Sequence, residues 1–490
     1  MRRVMSVCFG VVVCLLLLPR AASAQGTSAA TITGAVKDAS GAVLPGVTVE
    51  VASPALIEKV RVTVTDDKGE YRIVELRPGT YTVTFSLPGF STLKREGLTL
   101  TSNFTAAIQA EMKVGGLEET ITVSGQSPLV DVQTVAQQTV LQKSLLDAVP
   151  TNRTVGSLIA LIPAIVAPPS GSDVGGSQGE STGRISIHGS KLADGKQLQD
   201  GMRNNPLTTN GGSRGHVINS LSAQEVVVET GGGGSAEYST AGAVINMIPR
   251  DGGNRLSGSF FTTGSNAAMQ GSNLTSKLKA QGLNSVNTTR LTFDVNAFVA
   301  GPLVKDKLWF MVDSRVWGRT QGIPDLYEDS SLDDWVYTPD LSKPVRAPER
   351  DRQHDGRVTW QASAKDKFTF HYGWQTYHSS NNQGLLSVAT TSWERRGNAY
   401  CPETHLYQST WTRPQSNRVL FEAGVTAMDF DINTLEGAKV ASLCEVPNDY
   451  VAIVERNLAF SPTNWHGFSF RSDIHHKQQN GRFSMSYVTG

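Results

Sequence analysis

Beyond its first 24 residues this chain has no long apolar run. A membrane-spanning helix needs about 20 predominantly apolar residues. If the rest of the chain enters a bilayer, it must do so as a closed β-barrel, the other structure that satisfies its backbone in lipid. An excess of one charge is also missing, with 44 Lys and Arg against 44 Asp and Glu. Loss of residues 1–24 would remove Arg2, Arg3 and Arg20 and leave 41 basic against 44 acidic residues. That balance argues against nucleic acid as a partner, which calls for a basic excess or patch. No glycine-rich loop carries the Lys-Ser/Thr of a phosphate loop and opens a helix. No serine, histidine and acid are arranged for nucleophilic catalysis. His371 and His378 fall on opposite sides of one period-two segment, and His475-His476 fall in an expected turn. Glu328, Asp329, Asp333 and Asp334 read as a solvated loop. The sequence therefore predicts no enzyme, no metal site and no cofactor.

Cysteine is scarce. Cys8 and Cys14 lie within an N-terminal leader: Arg2-Arg3, an apolar run over 4–18, then Ala22-Ser23-Ala24 before Gln25. That is the pattern of a secretory signal peptide. Cys401 and Cys444 remain, an even pair in an exported protein, and predict a disulfide.

What is present is alternation of period two. Residues 30–113 carry short alternating strands and the turns Asp67-Lys68-Gly69 and Arg77-Pro78-Gly79, which predict a small antiparallel β-sandwich. Residues 119–123 (Glu119, Thr120, Ile121, Thr122, Val123) form a short alternating segment near Gly115-Gly116 and Gly125. Helices are expected at 144–149 and 153–161, stopped by Pro150 and Pro163. β-Branched runs at 225–229 and 243–248 flank the four-glycine turn 231–234. After Arg250 the alternating segments lengthen. Leu291, Phe293, Val295, Ala297 and Val299 oppose Thr292, Asp294 and Asn296. Phe368, Phe370, Tyr372 and Trp374 oppose Thr369, His371 and Gln375. One apolar and one wet face over roughly ten residues is the pattern of a transmembrane barrel. Expected short connections (301–306, 365–366, 413–416, 474–480) alternate with long ones (265–289, 319–355, 379–405, 431–464).

Several of these blocks resemble a known family. Gln224, Glu225, Val226, Val228, Gly231, Tyr238, Gly242, Val244, Ile245, Asn246 and Ile248 match the end of the plug of TonB-dependent outer-membrane receptors. The run 184–189 and the Gln199-Asp200-Gly201-Met202 turn resemble further plug motifs. Gly34, Val36, Gly41, Pro45, Gly46, Gly69, Tyr71, Pro78, Gly79, Tyr81 and Gly89-Phe90 resemble the carboxypeptidase regulatory-like domain, a carbohydrate-binding-like fold. Residues 119–123 look like a TonB box. The resemblance, to the Oar-like type, implies a mostly β chain: signal peptide 1–24, β-sandwich 25–114, TonB-box linker 115–129, α+β plug 130–250 and a partial antiparallel transmembrane β-barrel 251–490.

The same resemblance implies an outer membrane location in a Gram-negative bacterium with periplasmic N-terminal domains. It implies a TonB-like energy transducer as partner, outer membrane lipid around the barrel, and uptake of a ligand: siderophore, oligosaccharide or peptide. A surface binding or scaffold protein for carbohydrate or protein is the alternative. Nine candidate barrel strands are counted against about 22 in plugged transporters. The pattern stops at 487–490 without a final aromatic residue, so a fragment of a receptor is expected.

Overall fold

The computed structural model describes residues 29–115, 120–124, 137–149, 186–205, 216–230, 242–330, 338–380, 398–436 and 472–487, except for a few positions within these spans. Short pieces at 159, 162–166, 454–455 and 463–464 are also described. The leader, the glycine turn 231–234, Glu119, Cys444 and most of the expected helix at 153–161 lie outside the described residues.

The first block is a β-sandwich. In one sheet β1 (Ala30–Asp38) pairs antiparallel with β4 (Glu70–Leu76) and parallel with β7 (Thr105–Ala107) and β8 (Ala110–Met112). The facing sheet runs β3 (Val60–Val64), β2 (Thr48–Ala52), β5 (Gly79–Ser86), β6 (Thr92–Leu100) and β9 (Thr120–Ser124). Alternation turns apolar side chains inward: Ile32, Val49, Val51, Val83 and Phe85 are fully buried, while Glu50 and Thr80 are exposed. Each such large side chain contributes about 1.5–3 kcal/mol on burial. Tyr71 ties the layers together. Its hydroxyl donates to the Ile108 carbonyl at 2.9 Å, and its ring meets Phe85 edge-on at 5.5 Å.

The central sheet follows the order β10 (Gln138–Gln142), β15 (Ala223–Glu229), β16 (Val244–Pro249), β13 (Lys196–Gln199) and β14 (Met202–Arg203). Helix α1 (Lys143–Ala148) covers it, and β11 (Ile165–Val166) pairs with β12 (Ser186–Ile187). Leu141, Leu146, Val226, Val228, Ile245 and Met247 form its core. The Asp200-Gly201 turn joins β13 to β14 with φ of 49° and 72°, the two positive angles a tight two-residue hairpin requires.

The rest of the chain forms one antiparallel meander. Its strands are β17 (Ser257–Asn266), β18 (Thr288–Val304), β19 (Leu308–Asp329), β20 (Pro339–Gln361), β21 (Lys367–Ser380), β22 (Asn398–Ser416), β23 (Val419–Glu436) and β26 (Ser472–Tyr487). A small ladder of β24 (Val454–Glu455) and β25 (Thr463–Asn464) and a one-turn helix α2 (Ser276–Ala280) lie in its connections. Among the described residues no ladder joins β17 to β26, so the sheet is not closed.

Two expectations are corrected. The segment 474–480 is not a turn: β26 runs through it, with Asp431↔His475 and Thr426↔Asn480 in unbroken register, so His475-His476 lie in a strand. The polar run 475–481 looks like a turn in sequence, yet pairing with β23 holds it extended. Among the described residues the large sheet has eight strands. The long connection expected at 319–355 is mostly strand as well. β19 and β20 have 22 and 23 residues, where about 9–11 span a bilayer. They pair well past that thickness, leaving only 330–338 between them.

Short connections at 305–307, 362–366 and 417–418 lie at one end of the sheet, and longer ones at the other. The sandwich sits against the short-turn end. Lys367 of β21 donates to Glu75 at 2.9 Å, and the Thr412 hydroxyl donates to the same carboxylate at 2.7 Å.

Candidate functional site at the inner face of the large sheet

The large sheet alternates in the opposite sense to the sandwich. Many of its apolar residues face out: Val425, Phe483, Met485 and Tyr487 are exposed, while Phe298, Trp309, Trp317, Leu406, Met428 and Phe430 are buried. Its buried polar residues include Asp294, Asn296, Asp313, Arg315, Asp351, Gln353 and Gln408. What buries them is the central domain, and almost every strand contributes a contact. Asn219 exchanges hydrogen bonds with Asn296 of β18 at 2.7 Å and donates to Asp313 of β19 at 2.9 Å. His216 meets Asp355 of β20 at 2.9 Å. The Val217 amide donates to Gln375 of β21 at 2.9 Å. Gln408 of β22 donates to the Gln199 carbonyl at 3.1 Å, and Gln478 of β26 to the Asn205 carbonyl at 3.4 Å. On β23, Gly424 leaves room for Met202: any Cβ there would overlap the thioether. The sheet therefore curls around the central domain.

Polar contacts of this kind contribute only about 0.5–1.5 kcal/mol each, because water can replace either partner. The seam between domain and wall is thus held without an extended apolar core. A small apolar cluster of Leu221, Phe298, Ala300 and Met311 joins domain and wall at one place. Charge on the wall is mostly paired within it. Arg315 grips Asp294 through two nitrogens, at 3.1 and 2.7 Å, and Arg319 grips Glu349 at 2.7 and 2.8 Å.

At the short-turn end three parts of the chain meet. Arg357 of β20 donates to Asp200 of the central hairpin and to Asp251 of the segment leading into β17. Arg77 of the sandwich pairs with the same Asp251. A cavity of about 100 Å³ lies here, lined by Glu75, Arg77, Asp200, Met202, Arg357 and Lys367 among others. Burial alone would raise the Glu75 carboxyl, but Lys367 and Arg61 hold it down at about 2. Burial, with Arg357 beside it, lowers Arg77 to about 10. In the central sheet burial lifts the Glu225 carboxyl to about 7, against the Ser102 amide that donates to it at 3.0 Å.

The expected site residues are placed as follows. Thr120–Ser124 form β9, parallel to β6 at the edge of the sandwich. The segment is extended, as a TonB box is expected to be, and pairs along one edge. Thr122 is exposed. Cys401 lies within β22, opposite Asn433, rather than in a loop. Its expected partner Cys444 lies outside the described residues. Sequence reading missed the convergence of His216, Asp355 and His371, all buried. Parity alone placed His371 on the inner face with Thr369. Nothing periodic pointed to His216, which sits in an irregular segment.

Parts of this chain are similar to known proteins. Residues 31–113 match the carboxypeptidase regulatory-like domain. The chain is 29% identical over 314 residues to the TonB-dependent transporter Oar of Myxococcus xanthus, covering 61% of this chain and 28% of that relative. Among solved structures it resembles the outer membrane transporter YddB from Escherichia coli, at 13% identity, TM-score 0.47, covering 71% of this chain and 45% of that one. It also resembles the siderophore receptor PirA from Acinetobacter baumannii, at 14% identity, TM-score 0.43, covering 71% and 44%. The chain is thus a homologue of Oar with a carboxypeptidase regulatory-like domain at its N-terminus, and it spans just over a quarter of that relative's length.

Proposed function

We propose that this chain serves an outer-membrane receptor and transporter that takes up its ligand by TonB-coupled energy transduction. The observation that carries the reading is the inverted sheet: apolar side chains outward, polar side chains inward around a separate domain. That arrangement suits lipid on one side and a wet, plugged lumen on the other. The homology to Oar supports the transport class. In this reading 25–114 is a periplasmic sandwich, 115–129 carries the TonB box, 130–250 is the plug and 251–490 belongs to the barrel wall. The Cys401–Cys444 disulfide would brace strand and loop at the outer end. The ligand class is a siderophore, an oligosaccharide or a peptide.

Mechanically, a transducer would pair with residues 119–123 by adding a strand, in which backbone bonds give affinity and alternate side chains give register. β9 already pairs with β6 along one edge, so its other edge is the one on offer. Pull would first strip β9 from β6 and then travel along the chain toward the Glu75–Lys367 contact and the Asp200–Arg357–Asp251 knot under the plug. The water-replaceable seam would then open a path.

The test titrates a peptide of residues 115–125 into the periplasmic C-terminal domain of a TonB protein. It also titrates the full chain, extracted from outer membranes in detergent. Binding of both, weakened by Thr122→Pro or Ile121→Pro, is expected, because proline removes a donor and fixes φ. Equal binding by wild-type and both proline peptides would discard strand addition. Failure of the exported chain to fractionate with outer membranes would discard the barrel reading.

A further inference from the structure

We infer that His216, Asp355 and His371 form a binding site for a divalent transition metal of the zinc type, joining the central domain to the wall of the large sheet. The three side chains come from separate elements: the irregular segment before β15, then β20 and β21. All three are buried, and one ligand atom from each lies within 4.8 Å of the others. His216 Nε2 is 2.9 Å and His371 Nε2 3.4 Å from the same carboxylate oxygen, Asp355 Oδ1. A tetrahedral zinc ion with bonds of about 2.0–2.1 Å sets its ligands about 3.3 Å apart. Small rotations would bring the three atoms onto one ion, and two histidines with one carboxylate are a familiar zinc ligand set with a position left open.

Hydrogen bonding does not account for the cluster. Among the described residues Nδ1 of both buried rings has no hydrogen-bond partner, and His371 Nε2 makes only the 3.4 Å approach to Asp355. Two imidazoles around one carboxylate oxygen leave buried lone pairs unmet, and each unmet polar group is costly. A cation held by Nε2 of both rings and Asp355 Oδ1 replaces the poor 3.4 Å approach of His371 Nε2 and is neutralised in part by the carboxylate, with the proton of each ring on Nδ1. The surroundings are built for this. Gln353 donates to Asp355 Oδ2, fixing the carboxylate so that Oδ1 faces the rings. Such support orients a metal ligand and raises affinity. Residue 373 is glycine, and any Cβ there would overlap Asp355 Oδ1 and His216 Nε2. Asp313, register partner of Asp355 on β19, adds a second carboxylate nearby. Because His216 belongs to the central domain and the other two ligands to the wall, a bound ion is a clasp across the seam. That consequence rests on the reading of the central domain as a plug; the site itself does not.

The experiment titrates Zn²⁺ into the full chain, extracted from outer membranes and freed of metal by chelation, in competition with a chromophoric chelator. One saturable equivalent is expected. Gln353→Ala should weaken it about 10–100-fold, and His216→Ala or His371→Ala at least as much. His475→Ala/His476→Ala should leave it unchanged. No saturable site, or wild-type affinity in both H216A and H371A, would overturn the proposal. X-ray absorption on the zinc-loaded wild type needs no variant to fold: scattering from two imidazole rings and oxygen supports the site, and a spectrum without imidazole scattering overturns it. The clasp has its own readout, since Zn²⁺ should slow proteolysis of the central domain in wild type and not in H216A. Binding without that protection would keep the site and remove the plug-clasp consequence.

Discussion

The sandwich and the large sheet use the same alternation and bury opposite faces. In the sandwich Val83 and Phe85 are at 0% exposure and the polar neighbours are outside. In the large sheet Phe483 is at 66% and Val425 at 60%, while Asp351 and Gln353 are at 0%. A strand of period two therefore says that two faces differ, and not which one is inside. The solvent decides. Water outside drives apolar groups in, whereas lipid outside removes that drive and leaves polar groups to seek the lumen. The interiors also differ in kind. The sandwich core is held by burial that water cannot replace, and the lumen seam by hydrogen bonds that it can.

Paired truncations give the largest expected separation. Phe85→Ala in the sandwich should cost about 3–5 kcal/mol, enough to threaten a small domain. Phe483→Ala, on the outward face of β26, should leave thermal stability in detergent nearly unchanged. Melts of the two variants of the full chain, followed by circular dichroism, test this; equal losses would mean that the outward face is a buried interface. The converse substitution is next in size. Val425→Arg should cost about 2–4 kcal/mol if the residue lies near the bilayer centre. The loss should appear in lipid vesicles and shrink in denaturing mixed micelles. A neutral Val425→Arg would place β23 in water.

The comparison also shows what the sequence could carry. Faces, strand positions and the alternation of short and long connections followed from residues such as Leu291, Asp294 and Val425, because side-chain period is a local property. Long-range matters were not legible. His216 and His371 stand 155 positions apart, and no local pattern says that β20 and β21 pass the segment at 216. Length misled at β19 and β20: Pro, Asp and Glu around 324–329 and 339–350 looked like loop, but pairing between the two strands holds them extended. The same polar composition misled at 475–481, where β23 supplied the partner.

Two buried carboxylates sharpen the contrast through pH. Glu75 has cationic partners and is held at about 2, below its ordinary 4.5. Its contribution is present above about pH 4.5 and is lost as pH falls toward 2. Burial raises Glu225 to about 7, against the hydrogen bond from Ser102. Its folded state is favoured below about pH 4.5, and that advantage is lost as pH rises through 7. The change approaches about 3 kcal/mol in each case, as an order of magnitude. Glu225→Gln should therefore stabilise the chain at pH 8 and do little at pH 4, whereas Glu75→Gln should destabilise at pH 7 and by less than half as much at pH 3. Denaturant midpoints at these pH values decide; the same sign for both variants at neutral pH would refute the assignment.

The smallest effect concerns β9, where the two kinds of interior meet a third case. This strand sits at the edge of the sandwich sheet, with Thr122 exposed, and it joins β6 through main-chain pairing over 92–96. Such bonds contribute little net, and ordering five residues of chain offsets much of the gain. A fragment of residues 29–115 should therefore fold alone, and extending it to residue 124 should add no more than about 1 kcal/mol. Native-state hydrogen exchange of the longer fragment is the direct measurement. Amides of 120–124 should exchange by local opening, far sooner than those of β5. A strand so weakly held can be taken up by another protein without unfolding the sandwich, which is what a transducer-binding segment needs. If its amides instead exchange only with global unfolding, β9 is an integral strand of the sandwich, and the pull proposed on it would have to break the domain first.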